Sequence, residues 1–230
     1  MQSSASATAT VQRMKYRAIL FDFDGTLTPS LPLWLEAFHI ALRHFGLVLS
    51  DEDVVRRCFF RDWAVAASDL EIGSGEELRV QVDIGLREAF TEAALFPLAL
   101  PLIEQCRRLG LQTALVTSSP RSLMSDVLPR LGLRGQFDFV ICGDEVGNYK
   151  PHPEPVLTTL SALGRSPREA IMIGDSTADM LAGKAAGTAT ALFLPAEHSP
   201  FHSAAALRAT EPDHIFGDHA ELPALLGLSL

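Results

Sequence analysis

Five short runs dominated by Val, Ile, Leu and Phe constrain this chain most: residues 17–22 (RAILFD), 111–117 (LQTALVT), 138–142 (DFVIC), 170–175 (AIMIGD) and 188–194 (TATALFL). Runs apolar on both faces read as strands buried on both sides, the condition of a parallel sheet covered by helices. Between the last four lie patterns of helical period at 119–131, 153–163 and 176–186, closed by Gly132, Gly164 and Gly187. This alternation predicts an α/β chain with a doubly wound, Rossmann-like parallel sheet. The C-terminal HIFGDHAELPALLGL adds a sixth short strand and a closing helix.

The connection between the first two runs is too long for a simple crossover. About a dozen residues suffice to join parallel strands, yet this interval covers residues 28–110. Its patterns are helical, at 33–46, 51–60 and 75–95, with Pro29 and Pro32 at one end and Pro97 at the other as hinges. The expected organisation is an inserted α-helical cap at 29–96, an α/β core made of 17–28 and 97–230, and a disordered tail at 1–16. The tail is rich in Ser, Ala and Thr and lacks the apolar stretch of a secretory signal.

A net charge of −9 spread along the chain speaks against nonspecific nucleic-acid binding. No apolar run approaches the length of a membrane span. Cys58, Cys106 and Cys142 form no CxxC pair and sit in apolar surroundings, as reduced cysteines do. These features predict a cytoplasmic protein, monomer or homodimer, with organellar import through the N-terminal segment as the alternative.

Chemistry-bearing residues gather at the strand ends. Side chains alternate along a strand, so Asp22 and Asp24 project to one side at the carboxyl end of the first run, with Phe23 turned into the core. That end is where open α/β sheets bind ligands. Two like charges so close are costly unless a cation neutralises them, and oxygen ligands select a hard one such as Mg2+. Thr117 and Ser118 end the second run, Asp175 ends the fourth with Asp179 one helical turn on, and Lys150 lies between Pro151 and Tyr149 in a loop stiffened by prolines. Asp-x-Asp-Gly is not a calcium loop, because Gly25 stands fourth and follows a strand.

The segments DFDGTL, ALVTSS, YKPHPEP and GDSTAD, in that order, resemble the four motifs of the haloacid dehalogenase-like hydrolase superfamily, in its phosphatase branch with a helical cap. The resemblance runs from about residue 17 to the end of the chain. It implies that Asp22 is a nucleophile forming an aspartyl-phosphate and that Asp24 is the general acid and base. It implies Mg2+ held by Asp22, the Asp24 backbone carbonyl, Asp175 and Asp179, with Thr117, Ser118 and Lys150 binding phosphoryl oxygens. The implied substrate is a small phosphorylated metabolite.

Within this superfamily Asp24 distinguishes phosphate chemistry from dehalogenation, which needs no second aspartate. The absence of any lysine between Lys15 and Lys150 excludes a cap Schiff base. A sugar-phosphate mutase is the alternative, although Trp34 occupies the place where such mutases carry a histidine; His39 lies nearby. A non-catalytic binding module is the distant alternative. Pro29 replaces the acidic residue common in the family, so the substrate of the phosphoglycolate phosphatases does not transfer directly. In the cap, Trp34, Arg56, Arg57 and Arg61 are candidates for the leaving group, the arginines having a solvated basic helix face as their simpler role. His152, His198, His202, His214 and His219 are not spaced as metal ligands and are expected at the surface or in turns.

Overall fold

The strand Ala18–Phe21 (β1) is buried at every position and sits in the middle of one six-stranded sheet. In this computed structural model, which describes residues 15–228, the other strands are Gln112–Val116 (β2), Phe139–Ile141 (β3), Ala170–Gly174 (β4), Ala189–Phe193 (β5) and His214–Phe216 (β6). All pairings are parallel, in the order β3-β2-β1-β4-β5-β6. The order reverses at β1, so the crevice at the carboxyl ends of β1, β2 and β4 is the topological switch point.

Ten helices surround the sheet among the described residues: Leu31–His44 (α1), Asp51–Cys58 (α2), Trp63–Asp69 (α3), Gly75–Ala89 (α4), Ala99–Arg108 (α5), Arg121–Arg130 (α6), Glu154–Leu163 (α7), Thr177–Ala186 (α8), Ala204–Arg208 (α9) and Leu222–Leu226 (α10). The period of two along the strands divides the core. Ile19, Phe21, Leu115, Ile171 and Ile173 face one apolar layer that continues into α1, α4, α5 and α6. Ala18, Leu20, Ala114, Val116 and Met172 face the opposite layer, under α7 and α8. The predicted doubly wound sheet is therefore present, with six strands where six were expected.

Helices α1–α4 form the inserted cap. Their starts follow local chemistry: Ser50 accepts from the Asp53 N–H, Asp62 from those of Ala64 and Val65, and Ser74 with Glu77 makes a capping box. Trp34, Phe38, Phe59, Trp63 and Phe90 pack as a chain of aromatic contacts inside the cap. The chain leaves and re-enters the core side by side, since the Phe96 N–H donates to the Leu27 carbonyl at 2.9 Å.

Some elements differ from expectation. The pattern at 75–95 stops as an α-helix at Ala89 and continues as a short 3₁₀ turn, Phe90–Glu92, whose Phe90 and Thr91 carbonyls accept from the Arg130 guanidinium. Helices α3, α5 and α9 were not anticipated. Most of the tail expected at 1–16 lies outside the described residues, but its last residue does not fit the expectation: Tyr16 is buried and its hydroxyl lies 3.4 Å from His214 Nε2. The three cysteines are buried and free, burial pushing the thiols up to about 11 at Cys58 and about 12 at Cys106 and Cys142. No helix among the described residues is long and apolar enough to cross a membrane.

The cap's most extensive helix contact, α1 against α4, depends on a missing side chain. A Cβ on Gly85 would stand 2.7 Å from the Ala37 carbonyl oxygen and 2.9 Å from Ala37 Cα, both backbone atoms that cannot swing away. Gly85→Ala should therefore lower stability by about 1–3 kcal/mol through overpacking, although helix propensity alone would raise it by about 1 kcal/mol. Urea denaturation decides the sign, and a midpoint at or above the parent's would mean that the helices separate without cost.

Candidate active site

At the tip of β1 the ladder continues one residue further, the Asp22 N–H donating to the Ile173 carbonyl at 2.9 Å. The chain then coils so that Leu27 N–H bonds back to Phe23 O at 2.9 Å and Gly25 N–H to Thr28 O at 2.9 Å. Phe23 is buried in the core, as the alternation requires, and Asp22 and Asp24 enter two different environments.

Asp22 belongs to an ionic cluster. Lys150 Nζ donates to Asp22 Oδ1 at 2.7 Å, to Asp179 Oδ1 at 2.6 Å and to the Val116 carbonyl at 2.8 Å, which uses all three ammonium protons. The lysine side chain is only 4% exposed and Asp179 1%. Burial alone would lower the Lys150 pKa, but the Asp179 and Asp22 carboxylates outweigh it and hold the ammonium charged. The carboxyl of Asp22 is raised well above the ordinary range, first by burial and then by Asp179. Asp179 also accepts from the Ser176 N–H as part of the capping box that starts α8.

Asp24 belongs to a hydroxyl pocket. Ser119 donates to its Oδ2 and Ser30 to its Oδ1, each at 2.7 Å. Burial raises its pKa, and the two hydroxyls hold it down against that pull. Neither serine was expected from the sequence. Ser30 occupies the N-cap of α1, yet its side chain makes no capping bond because it is diverted to Asp24. Ser119 is turned inward when its N–H bonds the Thr117 hydroxyl at 3.0 Å, which sends Ser118 outward. The side chain of Ser118, an expected phosphate ligand, is accordingly exposed, while Thr117 is buried.

Asp175 is 1% exposed, and burial lifts its carboxyl to about 6 against the opposing pull of His202, whose Nε2 lies 3.0 Å from Oδ2. His198 Nδ1 is 3.5 Å from the same oxygen. Both histidines were expected at the surface or in turns. Both do lie in turns, in the loop after β5, but inside the protein rather than at its surface, and there burial, and then His202, pushes His198 down to about 4. His39, the histidine nearest Trp34 in the cap, is held by Asp51 at 2.8 Å.

Asp22, Asp175 and Asp179 each bring an oxygen within 4.8 Å of the others. With Asp24 the site gathers four carboxylates around one ammonium, an excess of buried negative charge that calls for a cation. The donor set is oxygen only and suits a hard dication. Asp24 adds no carboxylate oxygen, both being held by serines, which leaves its backbone carbonyl for that purpose.

The cap candidates fall into two groups. Arg56 pairs with Asp53, while Arg57 and Arg61 both pair with Asp69, so the charges of all three meet carboxylates within the cap. Trp34 is different: its indole N–H is buried beside Asp24, close enough to hold that carboxyl down but without a well-formed hydrogen bond.

The model of the family described as haloacid dehalogenase-like hydrolase matches residues 19–193. A phosphoglycolate phosphatase of Yersinia pseudotuberculosis is 30% identical over 221 residues, covering 92% of this chain and 94% of the relative. One of Aquifex aeolicus is 34% identical over 182 residues, covering 77% and 84%. A crystal structure of a putative phosphoglycolate phosphatase from Lactobacillus plantarum superposes with a TM-score of 0.80 at 24% identity, covering 92% of this chain and all of that one.

Gly25 closes the site on one side, with φ of +71° and a notional Cβ only 2.0 Å from Asp175 Oδ2. Gly25→Ala should cost at least the ~1–2 kcal/mol of a left-handed backbone, read as a Tm fall of roughly 2–4 °C for each kcal/mol in a chain of this size. In the Asp175→Ala background the collision is removed and the penalty should shrink towards the backbone part. Equal penalties in both backgrounds would mean that the two residues do not press on one another.

Proposed function

The chain belongs to the haloacid dehalogenase-like hydrolase family and is a phosphatase; from that premise we propose that it hydrolyses a small phosphomonoester with the help of Mg2+, through a phosphorylated Asp22. The observation that supports this most is the separation of the two carboxylates of DFD into unlike surroundings, Asp22 against Lys150 and Asp24 between Ser30 and Ser119. Carboxylates held in different environments are suited to different tasks.

In this reading an Asp22 oxygen attacks phosphorus, the ester oxygen departs, and Asp24, whose pKa burial raises, gives that oxygen its proton. Asp24, now ionised and steadied by two hydroxyl donors, takes a proton from a water that attacks the phosphoryl group on Asp22 and returns the free carboxylate. Asp22, Asp175 and Asp179 would hold Mg2+, which when bound offsets the charge between a carboxylate nucleophile and a phosphate dianion. The Thr117 hydroxyl oxygen already accepts a backbone N–H, so its own proton is free to point at a phosphoryl oxygen. Lys150 has no idle proton, so it orients Asp22 and would turn a donor towards phosphate only as the Asp22 charge is transferred.

Hydrolysis is favoured over phosphoryl transfer between sugar positions, because Trp34 stands where mutases of the family carry a histidine and His39 is engaged by Asp51. Trp34 is the cap residue best suited to meet a leaving group, since its buried N–H lacks a partner. The names of the Yersinia and Aquifex relatives make phosphoglycolate the first substrate to assay. Pro29, in place of the family's usual acidic residue, is reason to assay other small phosphate esters beside it.

Turnover should stop with excess chelator and return with Mg2+, and full activity in chelator would remove the metal from the mechanism. Asp22→Asn should abolish turnover in a folded protein. Asp24→Asn should reduce kcat by roughly 10²–10⁴-fold on an alkyl phosphate and by less on nitrophenyl phosphate, whose leaving group needs little protonation. Equal losses on the two substrates would show that Asp24 is not the acid.

A further inference from the structure

The loop after β5 carries two histidines that hydrolysis as proposed leaves without a task. His198 and His202, separated by three residues, converge from that loop on Asp175 Oδ2, His202 Nε2 at 3.0 Å and His198 Nδ1 at 3.5 Å. Donor atoms about 2.0–2.2 Å from a tetrahedral zinc ion stand roughly 3.3–3.6 Å apart; the His198 distance lies in that range and the His202 distance is a few tenths of an ångström short of it. The three side chains are between 2% and 5% exposed. A hydrogen bond to Asp175 accounts for His202. It does not account for His198, whose two ring nitrogens are both buried with no partner among the described residues. Such orphaned atoms are costly, and a ligand at Nδ1, the nitrogen that faces Asp175, would satisfy one of the two.

The surroundings are those of a built pocket. The rings of Phe96 and Phe193 pack around His198, at 6.2 and 5.7 Å between centroids, and Phe60 of the cap stacks on His202 at 4.6 Å. The donor set of two imidazoles and one carboxylate is softer than the oxygen-only cluster on the other side of Asp175, and softness is what sorts transition metals from Mg2+.

We propose that Asp175, His198 and His202 form a second metal site, for a divalent transition metal of the zinc type, sharing Asp175 with the acidic cluster. The site binds through three protein donors and leaves a fourth position open. Because Asp175 serves both sites, zinc held here competes for a carboxylate that the acidic cluster needs, and zinc should inhibit the Mg2+-supported reaction.

Titration of the full-length protein with Co2+ in excess Mg2+ tests binding directly, since cobalt with nitrogen donors in a low-coordinate site absorbs visible light far more strongly than the hexaaquo ion. The parent should bind one such ion, displaceable by Zn2+. His198→Gln and His202→Gln should each weaken it by more than the roughly 10–100-fold that even an outer-sphere change costs. Asp179→Asn, which lies outside the proposed donor set, should leave the cobalt spectrum in place in the folded protein, whereas Asp175→Asn should remove it. Cobalt absorption that survives both histidine substitutions, or is lost in Asp179→Asn, would overturn the proposal. Should a histidine variant fail to fold, the anomalous difference map of zinc-soaked parent crystals decides: a peak among Asp175, His198 and His202 supports the site, and a zinc peak only at Asp22 and Asp179, or none, rejects it.

Discussion

The buried ammonium of Lys150 is the tie on which the site depends. It joins the loop after β3 to the tip of β1 through Asp22, to α8 through Asp179 and to β2 through the Val116 carbonyl. Four segments distant in sequence are thereby fixed at one point. Removing one partner of such a buried ionic set leaves the others uncompensated, at a cost of about 3–5 kcal/mol. The lysine nevertheless neutralises only part of the charge, and the remaining carboxylates are what suit the site to a dication.

This tie works because the sheet brings the strand ends together. With β1 between β2 and β4, its carboxyl end lies at the switch point of the sheet, and the cap is inserted in the chain directly after it. The apolar layer on the cap side runs without a break from Ile19 and Phe21 through Phe23 and Leu27 to Phe38 and Leu86. Ser30, in the first residue before α1, touches Asp24 directly. Cap and chemistry are thus joined at the cap's point of departure.

What could be read from the sequence was governed by the range of the interaction. The strands were legible because each is a short apolar run bounded by turn residues, and the motif carboxylates because a strand's alternation sets their side. Helix α3, WAVAASD, was not, since seven residues with three alanines carry little periodic signal. Ser30 and Ser119 look like ordinary residues at helix starts, and only the fold reveals that their hydroxyls meet Asp24. His202 finds Asp175 across 27 positions and Arg57 finds Asp69 across 12, contacts that no local pattern encodes. The histidine pair does have a short spacing, but without Asp175 beside it that spacing had no third donor to suggest a metal.

The central position of β1 also sets the order in which the chain can assemble. Ala18 pairs with Gln112 on one side and Ala170 on the other, so the first strand made has its nearest strand partner more than ninety residues further along the chain. The cap, whose helices α1–α4 contact one another within residues 31–89, can condense as it emerges, because those contacts need no later part of the chain. At about 5–20 residues per second the ribosome needs roughly 5–19 s to pass from Ala18 to Gln112, and roughly 8–30 s to reach Ala170 on the other side. For the first of these intervals four wholly apolar residues wait with neither strand partner made. The nascent chain is most prone to misassociation then, and the early-folding cap, packed against Phe23 and Leu27 next to the strand, is the element positioned to shelter it.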